Sequence, residues 1–355
     1  MKKRNYSLDL LKIICMFLIV VHHFSLYTGF TYNSDVFSAR DIFLNIIALG
    51  GKIGVNIFML ISGYFLYSSK FSLKKLIHLE LVTVFFSLGF FMIFVFFSSE
   101  SFSFSQLIIN AMPTTFGRYW FIKAYMFVYL LSPFINLVLK KIDKKKFLIL
   151  IAILLVWGSI MPTFSNLIAR NAYFDNTSWL IIVYVLGCYF RRFDVDFQNR
   201  LLYWKLLMAT FFFLILGCIG TYQFDLSTAN KFSMNFYGEA YHVPIFIISI
   251  YLFLVFKNIT INRCGTFIYG VSSLMFGVYL IHENFYMREL LWKRLAFFLS
   301  EKRGFAFAID CILFSITVFW GCTLIEFIRN QLLRRLFSTM ETFIYNRIKA
   351  SSRNK

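Results

Sequence analysis

Two stretches of this sequence carry residue types suited to acid–base chemistry. Asp9, Lys12, His22 and His23 interrupt an apolar run near the amino terminus, and His282-Glu283 closes another late in the chain. An imidazole gives or takes a proton near neutral pH, and a carboxylate beside it can orient it. Ionisable groups within an apolar helix are costly and usually functional. The eleven steps from Lys12 to His23 bring them within about 20° of one meridian of a helix, roughly 16 Å apart along its axis. Asp9 lies on nearly the same stripe, one turn below Lys12, and His22 is turned away by about 80°. One helix face thus carries an acid–base pair at one end and an imidazole toward the other. The alternative is a Lys12 that snorkels while bridged to Asp9, with a histidine at the interface. His282-Glu283 either positions an acceptor hydroxyl or relays a proton, or is a solvated helix end.

Three further stretches bear on binding. Gly50 to Tyr64 is rich in small residues, ending Ser62-Gly63-Tyr64. Such residues let a helix or a ligand approach the backbone closely. Lys74 and Lys75, with His78, form a basic cluster that either holds phosphates by charge-assisted bonds or marks a membrane boundary. Arg118-Tyr119-Trp120-Phe121, continued by Tyr125, Pro133 and Asn136, reads first as an aromatic anchor at a boundary.

The elements that position these groups follow from composition. Of 355 residues, 59% are hydrophobic, 48 are Phe and only 15% are charged. Soluble domains carry about 25% charge, so water cannot be the solvent for most of this surface. Runs such as 79–97 need a bilayer. A soluble enzyme, a nucleic-acid binder and a disulfide-stapled secreted domain are excluded. The net charge of +19 sits in short clusters between apolar runs. That pattern points to membrane lipids as the anionic partner, and no nucleic acid is expected. The six cysteines stand singly, without metal-ligand spacing. Reduced structural thiols and no metal are expected.

The fold class is an all-α polytopic membrane protein with about ten spans: 7–28, 45–67, 79–97, 119–139, 147–161, 178–190, 204–221, 242–257, 266–283 and 305–328. The first is read as a retained helix rather than a signal peptide, because Asp9, Lys12, His22 and His23 interrupt it and no small-residue cleavage site follows. With the amino terminus inside, 24 of the 36 Lys and Arg fall on the cytoplasmic side and 9 outside. Both termini are therefore expected in the cytoplasm. Four outer charges crowd into 293–303, which implies an interfacial amphipathic helix or different bounds for the last two spans.

Taken in order, these stretches resemble the membrane-bound acyltransferase-3 family, in particular bacterial O-acetyltransferases of surface polysaccharides. Asp9 with Lys12-x10-His23 looks like the family's Arg/Lys-x10-His motif. Gly54-Val55 through Ser62-Gly63-Tyr64 is similar to its second-helix motif. Trp120-Phe121 through Pro133 and Asn136 looks like its fourth-helix pattern. Val278-Tyr279-Leu280-Ile281-His282 resembles its late signature. The resemblance spans about residues 5–330. This chain has Lys12 where the family usually has Arg, and Lys75-x-x-His78 where it often has Arg-x-x-Arg. Lysine keeps the charge but loses the bidentate fork.

The resemblance implies one transmembrane acyltransferase domain over 1–335, a basic cytoplasmic tail over 336–355, and a multi-pass protein of the bacterial cell membrane. It implies acetyl-CoA as cytoplasmic donor and an extracytoplasmic acceptor, a surface polysaccharide or lipid-linked glycan. Lys12, Lys74 and Lys75 would neutralise the donor's phosphates. Ser62 and Gly63 would let its pantetheine arm pass. His23 would act as general base or as a nucleophile, Asp9 would hold Lys12, and His282 and Glu283 would lie on the acceptor side. The rival class is a transporter or flippase of lipid-linked oligosaccharide, which would favour broken helices and internal repeats. Neither is evident.

Overall fold

The computed structural model describes residues 4–30, 39–97, 102–169, 174–193, 201–202, 204–212, 215–216, 238–302 and 304–351. The charges Lys2, Lys3, Arg170, Arg200, Lys231, Arg303, Arg353 and Lys355, Cys218 and part of the expected span 204–221 lie outside these residues.

All regular structure among the described residues is helical: α1 Tyr6–Tyr27, α2 Ala39–Leu66, α3 Leu73–Phe97, α4 Phe104–Ala111, α5 Trp120–Lys141, α6 Lys144–Leu155, α7 Met161–Ala169, α8 Asn176–Arg192, α9 Val243–Lys257, α10 Gly265–Ser272, α11 Met275–His282, α12 Phe285–Arg288 and α13 Gly304–Ser351, with further helical residues at 201–202, 204–212 and 215–216. A π turn at Val156–Ile160 joins α6 to α7. A bilayer has no partners for free backbone groups, so helices that satisfy their own are the natural solution. Their starts follow local chemistry. Asn5 accepts from the amides of Ser7 and Leu8, and Asp143 and Asp175 likewise cap α6 and α8.

Among the described residues, seven helical runs are long and apolar enough to cross a membrane, against the ten spans expected. The expected spans 178–190 and 242–257 are helices of 17 and 15 residues, short for a bilayer crossing. The expected span 266–283 is two helices, α10 and α11, meeting at Ser273 and Leu274. The last span extends to a 48-residue helix running through positions 335 and 336 without a break. Its far end packs on α3, where His78 Nδ1 lies 2.6 Å from Glu341 Oε1. Instead of an amphipathic helix, residues 289–299 form a π turn and a 3₁₀ turn that bury Trp292, Ala296 and Leu299.

Contacts between helix ends define one basic pole of the bundle. Asn5 before α1 donates to the carbonyl of Lys257 at the end of α9 (3.3 Å). Arg191 at the end of α8 donates to Ser68 after α2 (3.1 Å), and Arg192 to the carbonyl of Leu139 near the end of α5. Lys74 at the start of α3 lies over Tyr345 of α13. Arg329, counted by sequence among the flanking charges, is instead buried. It makes two hydrogen bonds, of 2.7 and 2.6 Å, to Glu326 one turn earlier.

Glycine sets the closest helix approaches. Gly54 faces the carbonyl of Cys15, where a Cβ would sit 2.9 Å from that oxygen. Gly63 and Gly187 oppose each other between α2 and α8, and a Cβ on either would collide with a backbone carbonyl of the partner helix. Polar side chains lock the same interfaces. Asn56 accepts from Trp179 Nε1 (2.8 Å) and donates to the carbonyl of Ala240 (2.8 Å). In α5, Pro133 lacks the N–H that the carbonyl of Tyr129 would receive, and the hydroxyl of Ser132 donates to that carbonyl instead (2.7 Å).

Gly187→Ala should therefore destabilise the bundle by about 1–3 kcal/mol, the usual cost of overpacking. Gly89→Ala in α3, where nothing lies within 4 Å of the added carbon, should be neutral or stabilising. Thermal unfolding of both variants in detergent checks the contrast.

Candidate active site

Because α1 and α11 are packed together, His23 and His282 are brought to one buried point. Their ring centroids are 5.1 Å apart. His282 is the last residue of α11, and Glu283 caps that helix. Both are fully buried, and His23 is nearly so. Nδ1 of His282 lies 2.6 Å from the carbonyl oxygen of Val278. A carbonyl only accepts, so this nitrogen carries the proton, and the Nε2 of a neutral ring is left as an acceptor. Among the described residues, no group bonds that Nε2.

Glu283 organises the rest. One carboxylate oxygen accepts from the Tyr27 hydroxyl (3.1 Å) and from Arg288, whose Nε also donates to the Glu283 carbonyl (3.0 Å). The other oxygen lies 3.2 Å from Nδ1 of His23, without the alignment of a hydrogen bond. The carboxylate is thus neutralised by Arg288 and placed beside an imidazole, the arrangement of a base and its orienting group. The end of α11 is held from a third side by Tyr119. Its hydroxyl donates to the carbonyl of Leu280 (3.1 Å) and receives a bond from Asn284 (2.9 Å).

His22 is turned away, as the helical arithmetic requires. Its Nδ1 bonds the carbonyl of Ala48, and its ring fills the space beside Gly51. It is packed between α1 and α2 rather than gathered with His282 and Glu283.

Two clefts adjoin the cluster. The first, with an empty volume of about 1060 Å³ including its mouth, is lined by Lys12, Ser62, Lys75, Tyr125, Ser273 and Tyr279, among others. Lys12 and Lys75 lie toward the basic pole. Tyr279 bounds the cleft, and its ring centroid is 5.9 Å from that of His282. The second cleft, about 890 Å³, is formed by α4, the loop before α5, and α12. Arg288 lines it while holding Glu283, so this cleft is linked to the cluster through that residue, and none of His23, His282 and Glu283 lines either cleft.

The sequence-derived residues therefore separate into groups. Lys12, Ser62 and Lys75 share the first cleft, while His23, His282 and Glu283 form the buried cluster. Asp9 lies behind Lys12, accepting from Lys12 (3.1 Å) and from Arg4 (2.7 Å). Two residues stand apart. Gly63 is in the α2–α8 contact, and Lys74 faces Tyr345 and Thr342 on α13. Sequence reasoning missed Tyr27, Tyr119 and Arg288 as parts of the site. Tyr27 was within reach, since it follows His23 by one turn on the same face. Arg288 follows Glu283 by five residues across a helix break, a spacing that carries no signal by itself.

A family model described as an acyltransferase domain matches residues 5–327. No curated protein and no solved structure matches the chain. The matched region contains α1 with His23, both clefts and the His282-Glu283 corner, and the chain belongs to the acyltransferase-3 family of membrane-bound acyltransferases.

Proposed function

We propose that this acyltransferase moves an acetyl group from acetyl-CoA, bound at the basic pole, to a hydroxyl of a glycan on the opposite side of a bacterial cytoplasmic membrane. The observation that carries this reading is the buried cluster of His23, His282 and Glu283, which a single residue links to each of two clefts. Tyr279 borders the pair from one cleft, and Arg288 from the other. The basic pole faces the cytoplasm in this reading, with both termini on that side, because cytoplasmic flanks collect Lys and Arg.

The first cleft suits the donor. Lys12 and Lys75 supply charge for its phosphates, and Ser62 and the aromatic walls border a path for a thin, largely apolar arm. About 16 Å of α1 separates Lys12 from His23, so the donor reaches through the helices instead of crossing them. At the cluster, a neutral imidazole takes the proton of the acceptor hydroxyl as its oxygen attacks the thioester carbonyl. The tetrahedral intermediate then collapses, the thiolate leaves, and the imidazolium returns a proton to it. His23 is assigned this role because Glu283 stands beside its other nitrogen. The ring of His282, whose unprotonated Nε2 is an acceptor, packs against that of His23 with the centroids 5.1 Å apart. Asp9 keeps Lys12 on the cleft side of α1.

Acetyl-CoA turnover by membrane vesicles, with a glycan acceptor supplied, tests the reaction. His23→Ala should lower the rate by about 10² to 10⁴-fold at normal protein levels, as loss of a general base does. His22→Ala should keep substantial activity, because its ring serves the α1–α2 contact. An inactive His22→Ala beside an active His23→Ala would overturn the assignment. Wild-type vesicles that consume no acetyl-CoA would overturn acetyl-CoA as the donor.

The donor site has its own test. Lys12→Ala should raise KM for acetyl-CoA more than Lys52→Ala does, and Lys12→Arg should restore it. Arg4 still holds Asp9 in the alanine variant, so the bundle should survive the change. An unchanged KM in Lys12→Ala would remove Lys12 from the donor site.

A further inference from the structure

The second cleft carries more than a path to the cluster. Its walls combine Gln106 of α4, Phe116 and Arg118 of the following loop, Trp120 at the start of α5, and Phe285 and Arg288 of α12. Trp120 is 39% exposed and Phe116 52%, so apolar ring faces border the space. The two cations are in different electrical states. Arg288 is committed to Glu283, and that pair is neutral. Arg118 forms no ion pair with any carboxylate among the described residues. Its guanidinium rests 4.6 Å above the ring of Phe285 and donates to the side-chain carbonyl of Gln106, and its Nε is buried without a partner among the described residues.

The backbone beneath Arg118 is built to hold it there. Gly117 has φ +67°, a left-handed conformation that favours glycine. The turn closes with the Arg118 amide donating to the carbonyl of Pro113 (2.9 Å) and that of Phe116 to Met112 (3.1 Å). A partly buried guanidinium with an unused N–H, fixed by a turn, stacked on one aromatic and flanked by two others, is suited to a planar or tetrahedral anion attached to an apolar ring face. A sugar that bears a carboxylate or a phosphate has both features.

We infer that this cleft binds an anionic glycan acceptor, with its carboxylate or phosphate on Arg118 and a sugar face on Trp120. This rests on the acyl-transfer reading only for the word acceptor. The anion preference follows from the charge balance of the cleft. Arg118 shares the cleft with Arg288, whose partner Glu283 lies beside His23, so the proposed anion site and the histidines are linked through that pair.

Calorimetric titration of the full-length protein in phosphatidylcholine nanodiscs tests the inference without requiring turnover. The probes are a glucuronate-bearing tetrasaccharide, glucose 1-phosphate, and a neutral glucose tetrasaccharide. At low salt the wild-type protein should bind at least one anionic probe tenfold or more tighter than the neutral one, and high salt should shrink the difference. Whichever anionic probe leads identifies the acceptor's charged group. Arg118→Gln should erase the preference while neutral binding persists, Arg118→Lys should restore only part of it, and Trp120→Ala should weaken all probes. Comparing probes within one protein separates recognition from misfolding, which would lower every affinity together. Equal affinities in the wild type, or an intact preference in Arg118→Gln, would overturn the inference. So would loss of the preference on adding phosphatidylglycerol to the nanodiscs, which would mark a lipid headgroup site. Acetyl-CoA consumption is measured in parallel on the wild-type protein. Anion-selective binding without consumption would sink the acetyl-CoA reading alone, and consumption without selectivity would sink this inference alone.

Discussion

A carboxylate buried among apolar helices has to be held by the protein, because neither lipid nor bulk water is there to do it. Glu283 is that group. Tyr27 and Arg288 share one of its oxygens, and His23 lies against the other. Meeting this requirement ties α1 to the end of α11 and draws α12 back over the corner. The histidine pair stands where it does because the carboxylate's partners come from separate elements that must converge on it.

Convergence at this point depends on how closely the helices approach. Gly54 lets α2 lie on the backbone of α1, and Gly63 and Gly187 do the same for α2 and α8. Gly277 leaves room on α11 for the carboxylate of Glu326, which Arg329 holds from the same helix. These contacts exchange bulk for proximity, the usual route to stable packing where lipid is as apolar as the core. The first cleft lies among helices brought together in this way.

The two clefts differ in chemistry as they differ in position. One offers two lysines and a long, mostly apolar path. The other offers exposed aromatic faces and an arginine without a carboxylate partner among the described residues. The proposed transfer from a phosphorylated donor to a sugar acceptor would use both environments, with the buried histidines as the proton-transferring group, and a dry corner would keep a thioester away from competing water.

Much of this was legible in the sequence. Composition alone required a helical membrane bundle, and the 3.6-residue period put His23, Lys12 and Asp9 on one face and turned His22 away. Those are properties of a single helix, so local geometry suffices. The match of four motifs in order pointed to the acyltransferase-3 family before any contact was known. The tertiary structure alone decided which distant residues meet. It joined His282-Glu283 to His23, placed Lys75 in the cleft and Lys74 outside it, and assigned Gly63 to helix packing. It also revealed Arg288, Tyr119 and the second cleft. These depend on crossing angles and close approaches between helices far apart in the chain, set by the shapes of whole interfaces, and no local period encodes them.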